Sequence, residues 1–297
     1  MQRINFLVRR PEFIQYLTKR NFDEPLLMER MGPDSSLSLM LQAFPYGDQR
    51  HLLLVQNVTD LQKADAMRRD FVANVSHEMR TPITVLMGFL ETVQSLDLQK
   101  NQRDQYFEMM MSQAQRMKSL VEDLLTLANL EANSLPALAN EVSIKTVMAL
   151  LKNDAEALSQ GKHAFSFEIL SSENLLGDER EILSAFSNLV SNAIRYTPDL
   201  GSIDVRWRVN AHGQGEFIVV DSGPGIAPEH LSRLTERFYR VDRSRSRDTG
   251  GTGLGLAIVK HIANRHQAQL LIESTPGKGS KFILRFPKER LSTVTRI

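Results

Sequence analysis

Residues 75–96 read VSHEMRTPITVLMGFLETVQSL, and this stretch decides the fold of the middle of the chain. Its apolar residues recur at alternating intervals of four and three, and they are Val75, Met79, Pro82, Leu86, Phe89, Val93 and Leu96. That spacing is a heptad seam, which predicts a long amphipathic helix that begins near Leu61. Pro82 stands inside the seam, where its ring is expected to bend the helix.

A second heptad pattern covers residues 102–133, with Met110, Met117 and Leu124 on the seam. The short polar stretch from Asp97 to Asn101 joins the two predicted helices, which makes them an antiparallel hairpin. One hairpin cannot cover its own seam, so we expect a homodimer that closes a four-helix bundle. A monomeric hairpin packed on a neighbouring domain is the alternative.

The composition excludes several classes of function. The chain has 297 residues, a formal net charge of +1 and no cysteine. Without cysteine there is no disulfide scaffold, thiolate metal site, iron–sulfur cluster or cysteine nucleophile. The near-zero net charge gives no reason to expect nucleic acid as a partner. No uncharged run reaches the ~20 residues that a membrane helix needs, so we expect a soluble, cytoplasmic chain without a membrane segment.

Three segments are predicted along the chain. Residues 1–60 mix apolar runs with turns and end in the run His51–Val55, which predicts a buried strand. Residues 61–135 hold the helical hairpin. Residues 138–290 alternate strand and helix patterns, which is typical of an α/β domain. The predicted fold class is therefore multidomain, with α and α+β parts.

The local signals of the third segment are strong. Ser143 begins one helix, and Asp178 with Glu181 has the spacing of a capping box that opens a helix running to about Tyr196. Alternating apolar residues predict strands at 164–170 and 203–207, and further strands are predicted at 217–220, 270–273 and 281–286. The long stretch from Ser222 to Gly250 carries few such signals, and a loop of that length is usually functional.

One histidine stands apart from the others. The heptad assignment puts His77 at position f, which is the position farthest from the seam and is exposed to water and partners. Glu78 is its neighbour, and Thr81 follows one turn later on nearly the same face. A nucleophile, a carboxylate and a hydroxyl are thus predicted to lie together beside Pro82. An ordinary surface histidine is the alternative interpretation.

Four clusters in the third segment combine amide, carboxylate and glycine residues. They are Asn188–Tyr196 on the capped helix, Asp221–Gly225 after a strand, Gly251–Leu256 before a helix, and the turn Gly277–Gly279. Amide oxygens suit a hard cation, and the backbone N–H groups at a helix start suit a phosphate. Neither the P-loop spacing nor the dinucleotide G-x-G-x-x-G/A spacing occurs. Each cluster alone also fits a solvated helix face or an ordinary turn.

Residues 71–82, FVANVSHEMRTP, resemble the phosphoacceptor box of the sensor histidine kinases. The resemblance implies that His77 Nε2 attacks the γ-phosphate of ATP, which suits a neutral imidazole near pH 7. It implies that Glu78 orients the ring and accepts the Nδ1 proton. It also implies that Thr81 positions water for dephosphorylation of a partner regulator, so phosphatase activity is expected beside kinase activity.

In order and spacing, the four clusters resemble the N, G1, G2 and G3 boxes of the ATP-binding domain of the same family, an α/β sandwich of the Bergerat (GHKL) type. The resemblance implies that Asn192, with help from Asn188, coordinates Mg²⁺. It also implies that Asp221 accepts the exocyclic amine of adenine. The residues that it assigns to ATP are Asn188, Asn192, Arg195, Tyr196, Asp221, Gly223, Gly225, Arg237, Gly251, Gly253, Leu254, Gly255 and Leu256.

At two positions, Asn188 and Thr235, the residue differs from the one found in related proteins, and each difference changes what we expect of the site. Hydrolysing relatives carry a glutamate where Asn188 stands, and an amide cannot take a proton, so direct ATP hydrolysis should be poor. The family's lid usually carries two phenylalanines three apart. Here Phe238 matches the second, whereas Thr235 stands at the first. Lid packing is expected to change, while ATP binding is expected to survive. Six arginines lie between Arg233 and Arg247 against two acidic residues, and this loop is expected to close over the triphosphate of ATP. A solvated surface is the alternative interpretation of these arginines.

The front of the chain is similar to the second half of the PAS domain of phosphate-regulon sensor kinases, in the stretches 9–13, 22–26 and 55–60. We expect the cytoplasmic fragment of a membrane-anchored sensor, or a short natural variant. The resemblance implies phosphate-responsive signalling with a response regulator receiver domain (PhoB-type) as partner. Two alternatives stay open: an ATP-gated GHKL-type interaction protein without histidine phosphorylation, and a scaffold whose hairpin only dimerises.

Overall fold

The computed structural model describes residues 10–19, 22–32, 36–46, 50–132, 136, 140–241 and 251–292. The chain forms two compact units, Met1–His77 and Glu78–Ile297, and the division falls inside the first long helix. The three segments taken from the sequence therefore stay a prediction. Within the described ranges, no helix is both long and apolar enough to cross a membrane.

The first unit contains a short helix and a three-stranded antiparallel sheet. Its elements are α1 (Pro11–Lys19), β1 (Leu26–Met31), β2 (Leu37–Tyr46) and β3 (Arg50–Asn57). The strand order is β1-β2-β3. Phe13 of α1, Met28 of β1 and Leu41 of β2 form its buried core.

Strand β3 corrects one prediction from the sequence. The run His51–Val55 does form a strand, but that strand is not buried: Leu52 is 60% exposed and Leu54 is 53% exposed. Among the described residues, β3 is an edge strand that pairs with β2 alone. The apolar run indicated a strand correctly, whereas its burial depends on neighbours that a local pattern cannot reveal.

Both predicted long helices are present, close to their predicted ends. They are α2 (Thr59–Ser95) and α3 (Lys100–Ala132). In the second unit, the rings of Phe89 and Tyr106 meet across the hairpin at 5.6 Å between centroids, and Leu120 and Leu127 of α3 are buried. Pro82 is buried inside α2. The heptad prediction of an antiparallel hairpin is confirmed, and the bend at Pro82 stays a prediction.

The rest of the second unit is the α/β domain. Its helices are α4 (Ile144–Ser159), α5 (Glu179–Tyr196), α6 (Pro228–Leu231) and α7 (Gly255–Arg265), and a 3-10 helix covers Lys288–Arg290. Its strands are β4 (Glu141–Val142), β5 (Ala164–Ile169), β6 (Asn174–Leu176), β7 (Ser202–Val209), β8 (Gly215–Asp221), β9 (Gln269–Thr275), β10 (Gly279–Phe286) and β11 (Leu291–Ser292).

The five predicted strands form one sheet in the order β5-β7-β8-β10-β9. Only the β5–β7 pair is parallel. The short strands β4, β6 and β11 form a second sheet, which sequence alternation missed because two or three residues show no period. Helices α4, α5 and α7 pack against the larger sheet, so the predicted α/β sandwich is observed.

An aromatic core fixes helix α5 on this sheet. The ring of Phe186 in α5 stacks on Phe217 in β8 with 3.7 Å between centroids, and Phe286 of β10 meets it edge-on. Trp207 of β7 is fully buried and donates its indole N–H to the carbonyl of Glu173. Burial of several large rings stabilises the domain by roughly 2 kcal/mol or more for each ring. This packing holds the ends of α5 and β8 close together.

The two predicted helix starts are confirmed, but one side chain has another role. Ser143 caps α4, and the Asp178 carboxylate accepts the backbone N–H groups of residues 180 and 181. The Glu181 carboxylate does not complete a capping box with Asp178. It instead receives a bidentate ion pair from Arg265, with a shortest distance of 2.8 Å. The backbone N–H of Asp178 donates to His266 Nε2 at 3.2 Å.

His266 makes the stability of this domain depend on pH. Its side chain is fully buried, and Nδ1 lies 3.0 Å from the carbonyl of Ile262, so the neutral ring with Nδ1–H satisfies both contacts. Burial lowers the pKa of His266, although the carboxylate of Glu181, 3.7 Å away, opposes this. The unfolded chain therefore binds this proton at a higher pH than the folded chain does.

We expect the free energy of unfolding to be fully present above about pH 6.5 and to fall as the pH drops below that value, toward the lowered folded pKa. Urea unfolding at pH 7.5 and pH 5.5 measures this effect. In His266→Gln, which cannot gain a charge, the loss between the two pH values should be smaller. An equal loss in both proteins would show that other groups cause it.

Candidate nucleotide site and phosphoacceptor

A cavity of about 730 Å³ opens in the second unit between α3, α5, the end of β8 and the loop that leads into α7. Most of the residues predicted to bind ATP line it: Asn188, Asn192, Arg195, Tyr196, Asp221, Gly225, Gly251, Gly253, Gly255 and Leu256. These residues come from three separate clusters of the sequence. The fold therefore brings together groups whose proximity the sequence could only predict.

Helix α5 presents its two amides to the cavity. The Asn188 amide donates from Nδ2 to the carbonyl of Ser184 at 2.9 Å. Its oxygen Oδ1 then faces Gly255, where an added Cβ would lie only 2.6 Å away. Asn192 Oδ1 accepts from Arg195 Nη1 at 3.4 Å. Two amide oxygens and one guanidinium thus lie on the same side of the cavity, one helical turn apart.

Asp221 is held rigidly at the end of β8. Its carboxylate accepts the backbone N–H of Gly223 at 2.9 Å and that of Ser280. A Cβ on Gly223 would lie 2.7 Å from Asp221 Oδ1 and 3.0 Å from the carbonyl oxygen of Tyr196, so a side chain there would displace the carboxylate. Burial raises the pKa of Asp221, and the two backbone donors partly offset that effect. A buried carboxylate aimed into a cavity is suited to accept a hydrogen bond from a ligand.

Three of the predicted ATP residues do not line the cavity. Gly223 supports Asp221, as described above. Leu254 is fully buried, and its N–H donates to Thr252 Oγ1 at 3.2 Å. Arg237 forms an ion pair with Glu131 of α3. Direct nucleotide contact by these three residues therefore has no support from the cavity lining.

The loop before Gly251 is described only as far as residue 241. Its arginines at 243, 245 and 247, which the sequence suggested would close over a triphosphate, lie outside the described residues. At the position where the family carries its first phenylalanine, Thr235 Oγ1 accepts from Lys260 Nζ at 3.2 Å. Phe238 packs on the core, and its N–H donates to the carbonyl of Gly253 at 2.9 Å. The hydrogen bond between Lys260 and Thr235 thus stands where the family usually packs its first lid phenylalanine.

Two residues that follow Phe238 also line the cavity: Tyr239, which sequence reasoning missed, and Arg240, which it had counted among the arginines of the loop. Tyr239 lines the cavity, and its hydroxyl lies 2.8 Å from His230 Nδ1 while the Arg233 guanidinium stacks on its ring at 4.3 Å. Arg240 also lines the cavity. Burial lowers the pKa of Arg240, and the nearby cations Arg116 and Arg195 act in the same direction. The signal that could have indicated Tyr239 is its position directly after Phe238, the matched phenylalanine of the lid.

The cavity lining also includes α3, which the resemblance had not assigned to ATP. Ser119, Glu122 and Asp123 contribute to the lining. Asp123 accepts a hydrogen bond from Thr252 Oγ1 at 2.6 Å. No spacing in the sequence joins residue 123 to residue 252, so this contact was not predictable from local pattern.

The three residues predicted for phosphotransfer all lie on α2. His77, the last residue of the first unit, is exposed, and so is Thr81. Glu78 belongs to the second unit and is half-buried, and its Oε2 accepts from Arg116 Nη2 at 3.0 Å. Arg240, which lines the cavity, lies close enough to Glu78 and Arg116 for Glu78 to raise its pKa and for Arg116 to lower it. The guanidinium of Arg116, which binds Glu78, therefore lies near that of Arg240, which lines the cavity.

Two family models match the chain in the order that the fold suggests. Residues 67–133 match the His Kinase A (phospho-acceptor) domain. Residues 177–290 match the histidine kinase-, DNA gyrase B- and HSP90-like ATPase domain. Together with the relatives described next, these matches show that the chain belongs to the sensor histidine kinases.

Within that family the chain is similar to phosphate-regulon sensors. The phosphate regulon sensor protein PhoR of Pseudomonas aeruginosa is 46% identical over 99% of this chain and 67% of its own length. PhoR of Haemophilus influenzae is 37% identical over 84% of this chain and 58% of its own length. The sensor-like histidine kinase SenX3 of Mycobacterium tuberculosis is 37% identical over 80% of this chain and 58% of its own length. The chain thus spans between 58% and 67% of these relatives.

Solved structures of histidine kinases share the fold. The histidine kinase AdeS of Acinetobacter baumannii matches with a TM-score of 0.56 and 26% identity, over 71% of this chain and 98% of that chain. ThkA, solved in complex with the response regulator protein TrrA, matches with a TM-score of 0.60 over 94% of this chain and 84% of that chain. At 21% identity, the second likeness shows the fold alone.

Proposed function

We propose that this chain transfers the γ-phosphoryl group of ATP to His77 and from there to an aspartate of a response regulator. One observation carries the proposal. A single cavity is lined by two amides, a buried carboxylate and two arginines, which are Asn188, Asn192, Asp221, Arg195 and Arg240. Arg240 also lies near Glu78. This arrangement offers one end to a purine and the other to phosphates. The match to PhoR proteins supports a response to phosphate supply.

In this proposal, each end of the cavity has its own task. Asp221 accepts the adenine amine, and the ring of Tyr196 packs on the base. Arg195 contacts the phosphates. The glycine loop at Gly251–Gly255 leads into α7, where free backbone N–H groups attract phosphate oxygens. A Cβ on Gly251 would lie 3.2 Å from Arg195 Nη1, so a side chain there would crowd the phosphate end.

The donor set also fits a magnesium ion. Asn192 and Asn188 offer amide oxygens, which are ligands that Mg²⁺ accepts together with substrate phosphates. Within the described ranges, no group of three or more His, Asp or Glu residues could hold a metal by itself. When bound, the ion would neutralise charge on the phosphate oxygens. Asn188 cannot take a proton from water, so ATP is kept for the histidine.

The proposed transfer forms a bond between His77 Nε2 and the γ-phosphorus and breaks the bond from that phosphorus to the oxygen of ADP. The ring becomes positively charged, and its Nδ1 proton passes to Glu78. Exposure of His77 lets the phosphohistidine meet a receiver domain. We further propose that Thr81 positions the water that dephosphorylates the regulator, since its side chain is also exposed on α2.

A homodimer is part of the proposal. In this single chain, several apolar side chains of α2 and α3 remain exposed in the second unit, among them Met87 at 56% and Met111 at 70%. A four-helix bundle of two hairpins would cover such residues.

The homologous PhoR proteins are longer than this chain. On the basis of the similarity to these sensor proteins, we also propose that the parent protein is anchored at the inner face of the cell membrane.

Incubation of the chain with γ-labelled ATP and Mg²⁺ tests the proposed activity. The expected product is protein-bound label that is lost in acid and kept in base, as a phosphoramidate requires. A second incubation with a purified receiver domain should move the label to the receiver. Tight ATP binding without any label would favour the ATP-gated interaction protein. Absence of both would favour a scaffold that only dimerises.

Arg116 is expected to position Glu78 during phosphorylation. Removal of the guanidinium in Arg116→Ala leaves the half-buried carboxylate without its 3.0 Å donor, so the rate of His77 phosphorylation should fall by roughly tenfold. Arg116→Lys keeps the charge but not the planar fork, and should recover part of the rate. Single-turnover labelling at saturating ATP measures this rate.

Lys118→Ala is the matched control for Arg116→Ala, because Lys118 lies on the same helix and its side chain is 65% exposed. Its phosphorylation rate should equal that of the unaltered chain. Equal rates for Arg116→Ala and Lys118→Ala would remove the positioning role.

A further inference from the structure

Helix α3 packs directly on the α/β domain within the second unit. Leu120, Leu127 and Leu130 are buried in the core that this domain forms. The carbonyl of Leu130 accepts from Arg265 Nη1 at 2.9 Å, and Glu131 pairs with Arg237. The helix is therefore fixed beside the cavity by apolar and polar contacts along about three turns.

Asp123 lies on the part of α3 that lines the cavity. Its Oδ2 accepts from Thr252 Oγ1 at 2.6 Å, and Thr252 Oγ1 in turn accepts from the N–H of Leu254 at 3.2 Å. Leu254 immediately precedes helix α7. A chain of two hydrogen bonds thus runs from α3 through the glycine loop to the start of the helix that would receive the phosphates.

The charge of Asp123 also bears on the phosphates. Burial raises the pKa of its carboxyl, while the bond from Thr252 and the charge of Arg195 lower it. Asp123 and Arg195 are therefore close enough to interact, and both line the cavity. A nucleotide phosphate that approaches Arg195 would meet the negative charge of Asp123. ATP carries one more negative charge than ADP, so it would be repelled more strongly.

We propose that Asp123 is a positioning and selectivity residue of the nucleotide site, which holds the glycine loop through Thr252 and disfavours ATP relative to ADP while α3 lies against the domain. This inference rests on the proposed nucleotide site. It adds a residue of the hairpin to that site, and it gives the contact between hairpin and domain a role in choosing between substrate and product.

Calorimetric titration of the full chain with ADP and with the non-hydrolysable analogue AMP-PNP, both with Mg²⁺, tests the proposal. Asp123→Asn keeps an oxygen to accept from Thr252 but removes the charge. It should raise the ratio of AMP-PNP affinity to ADP affinity by roughly three- to tenfold, as expected for one screened charge at close range. Asp123→Ala should raise the ratio similarly and also weaken both nucleotides, because the glycine loop loses its support.

Glu108→Gln is the matched control, since it removes a carboxylate from an exposed position of α3 that does not line the cavity. Its affinity ratio should equal that of the unaltered chain. An unchanged ratio in both Asp123 variants would overturn the selectivity role, and unchanged affinities in Asp123→Ala would overturn the positioning role. If the unaltered chain binds neither nucleotide, the proposed site itself fails, and that outcome is distinct from both.

Discussion

His77→Ala is expected to abolish incorporation of label from γ-labelled ATP, to less than about one-thousandth of the rate of the unaltered chain. The reason is chemical: alanine offers no nucleophile, and the transfer requires a nitrogen lone pair to form the bond to phosphorus. His77 is exposed on α2 and does not line the cavity. Its removal should therefore leave the affinity for ATP unchanged within twofold, which a nucleotide titration of the variant measures.

The control for His77→Ala is His212→Ala, which removes an exposed histidine from the turn between β7 and β8. That variant should incorporate label at the normal rate. Acid-labile label that persists in His77→Ala would mean that another histidine is the phosphoacceptor. Loss of ATP affinity together with loss of label would point to misfolding, which circular dichroism of the variant would reveal.

The sequence predicted well what depends on neighbours along the chain. The heptad spacing placed α2 and α3 because side chains three and four residues apart lie on one helix face. The N-caps Ser143 and Asp178 were readable because a cap bonds to backbone only two or three residues away. Alternating residues and short apolar runs located the five strands of the larger sheet.

The sequence predicted poorly what depends on tertiary neighbours. The exposure of β3 follows from its place at the edge of a sheet, which an apolar run does not encode. Glu181 was predicted to be half of a capping box, but its carboxylate forms an ion pair with Arg265 in α7. The same limit explains why Asp123 was missed, since its partner Thr252 lies 129 positions away. The two missed contacts, at Glu181 and Asp123, form only once segments distant in sequence have packed together.

The candidate site lies between these two cases. Asn188, Asn192 and Arg195 share one helix, so their common face was predictable from the sequence. Their placement beside Asp221 and the glycine loop depends on how α5 packs on β8, through the stack of Phe186 on Phe217. Resemblance to a known family supplied that placement, and the cavity lining agrees with most of it. Arg240 belongs to the arginine-rich loop that the sequence had indicated, and the fold places it at the cavity.

Gly279→Ala is expected to destabilise the α/β domain by about 3 kcal/mol or more. Gly279 has φ of +93°, and a Cβ there would lie 1.9 Å from the carbonyl oxygen of Asp221 and 3.1 Å from the Cα of Ser222. Both neighbours are backbone atoms at the end of β8, and β10 is paired to that strand through Ser280 and Asp221. Relief of the clash requires the strands to separate at the position that holds the Asp221 carboxylate.

Gly277→Ala separates the effect of the clash from the effect of backbone conformation. Gly277 lies in the same turn with φ of +79°, but no atom lies within 4 Å of an added Cβ. Its replacement should cost only about 1 kcal/mol, the strain of an alanine at positive φ. Urea unfolding of the two variants measures the difference.

Because the clash displaces Asp221, Gly279→Ala should also weaken ATP binding in conditions where it is folded, whereas Gly277→Ala should not. Equal unfolding free energies for the two variants would show that β8 and β10 can move apart without loss of stability. Asp221 would then not be held as rigidly as its two backbone hydrogen bonds indicate.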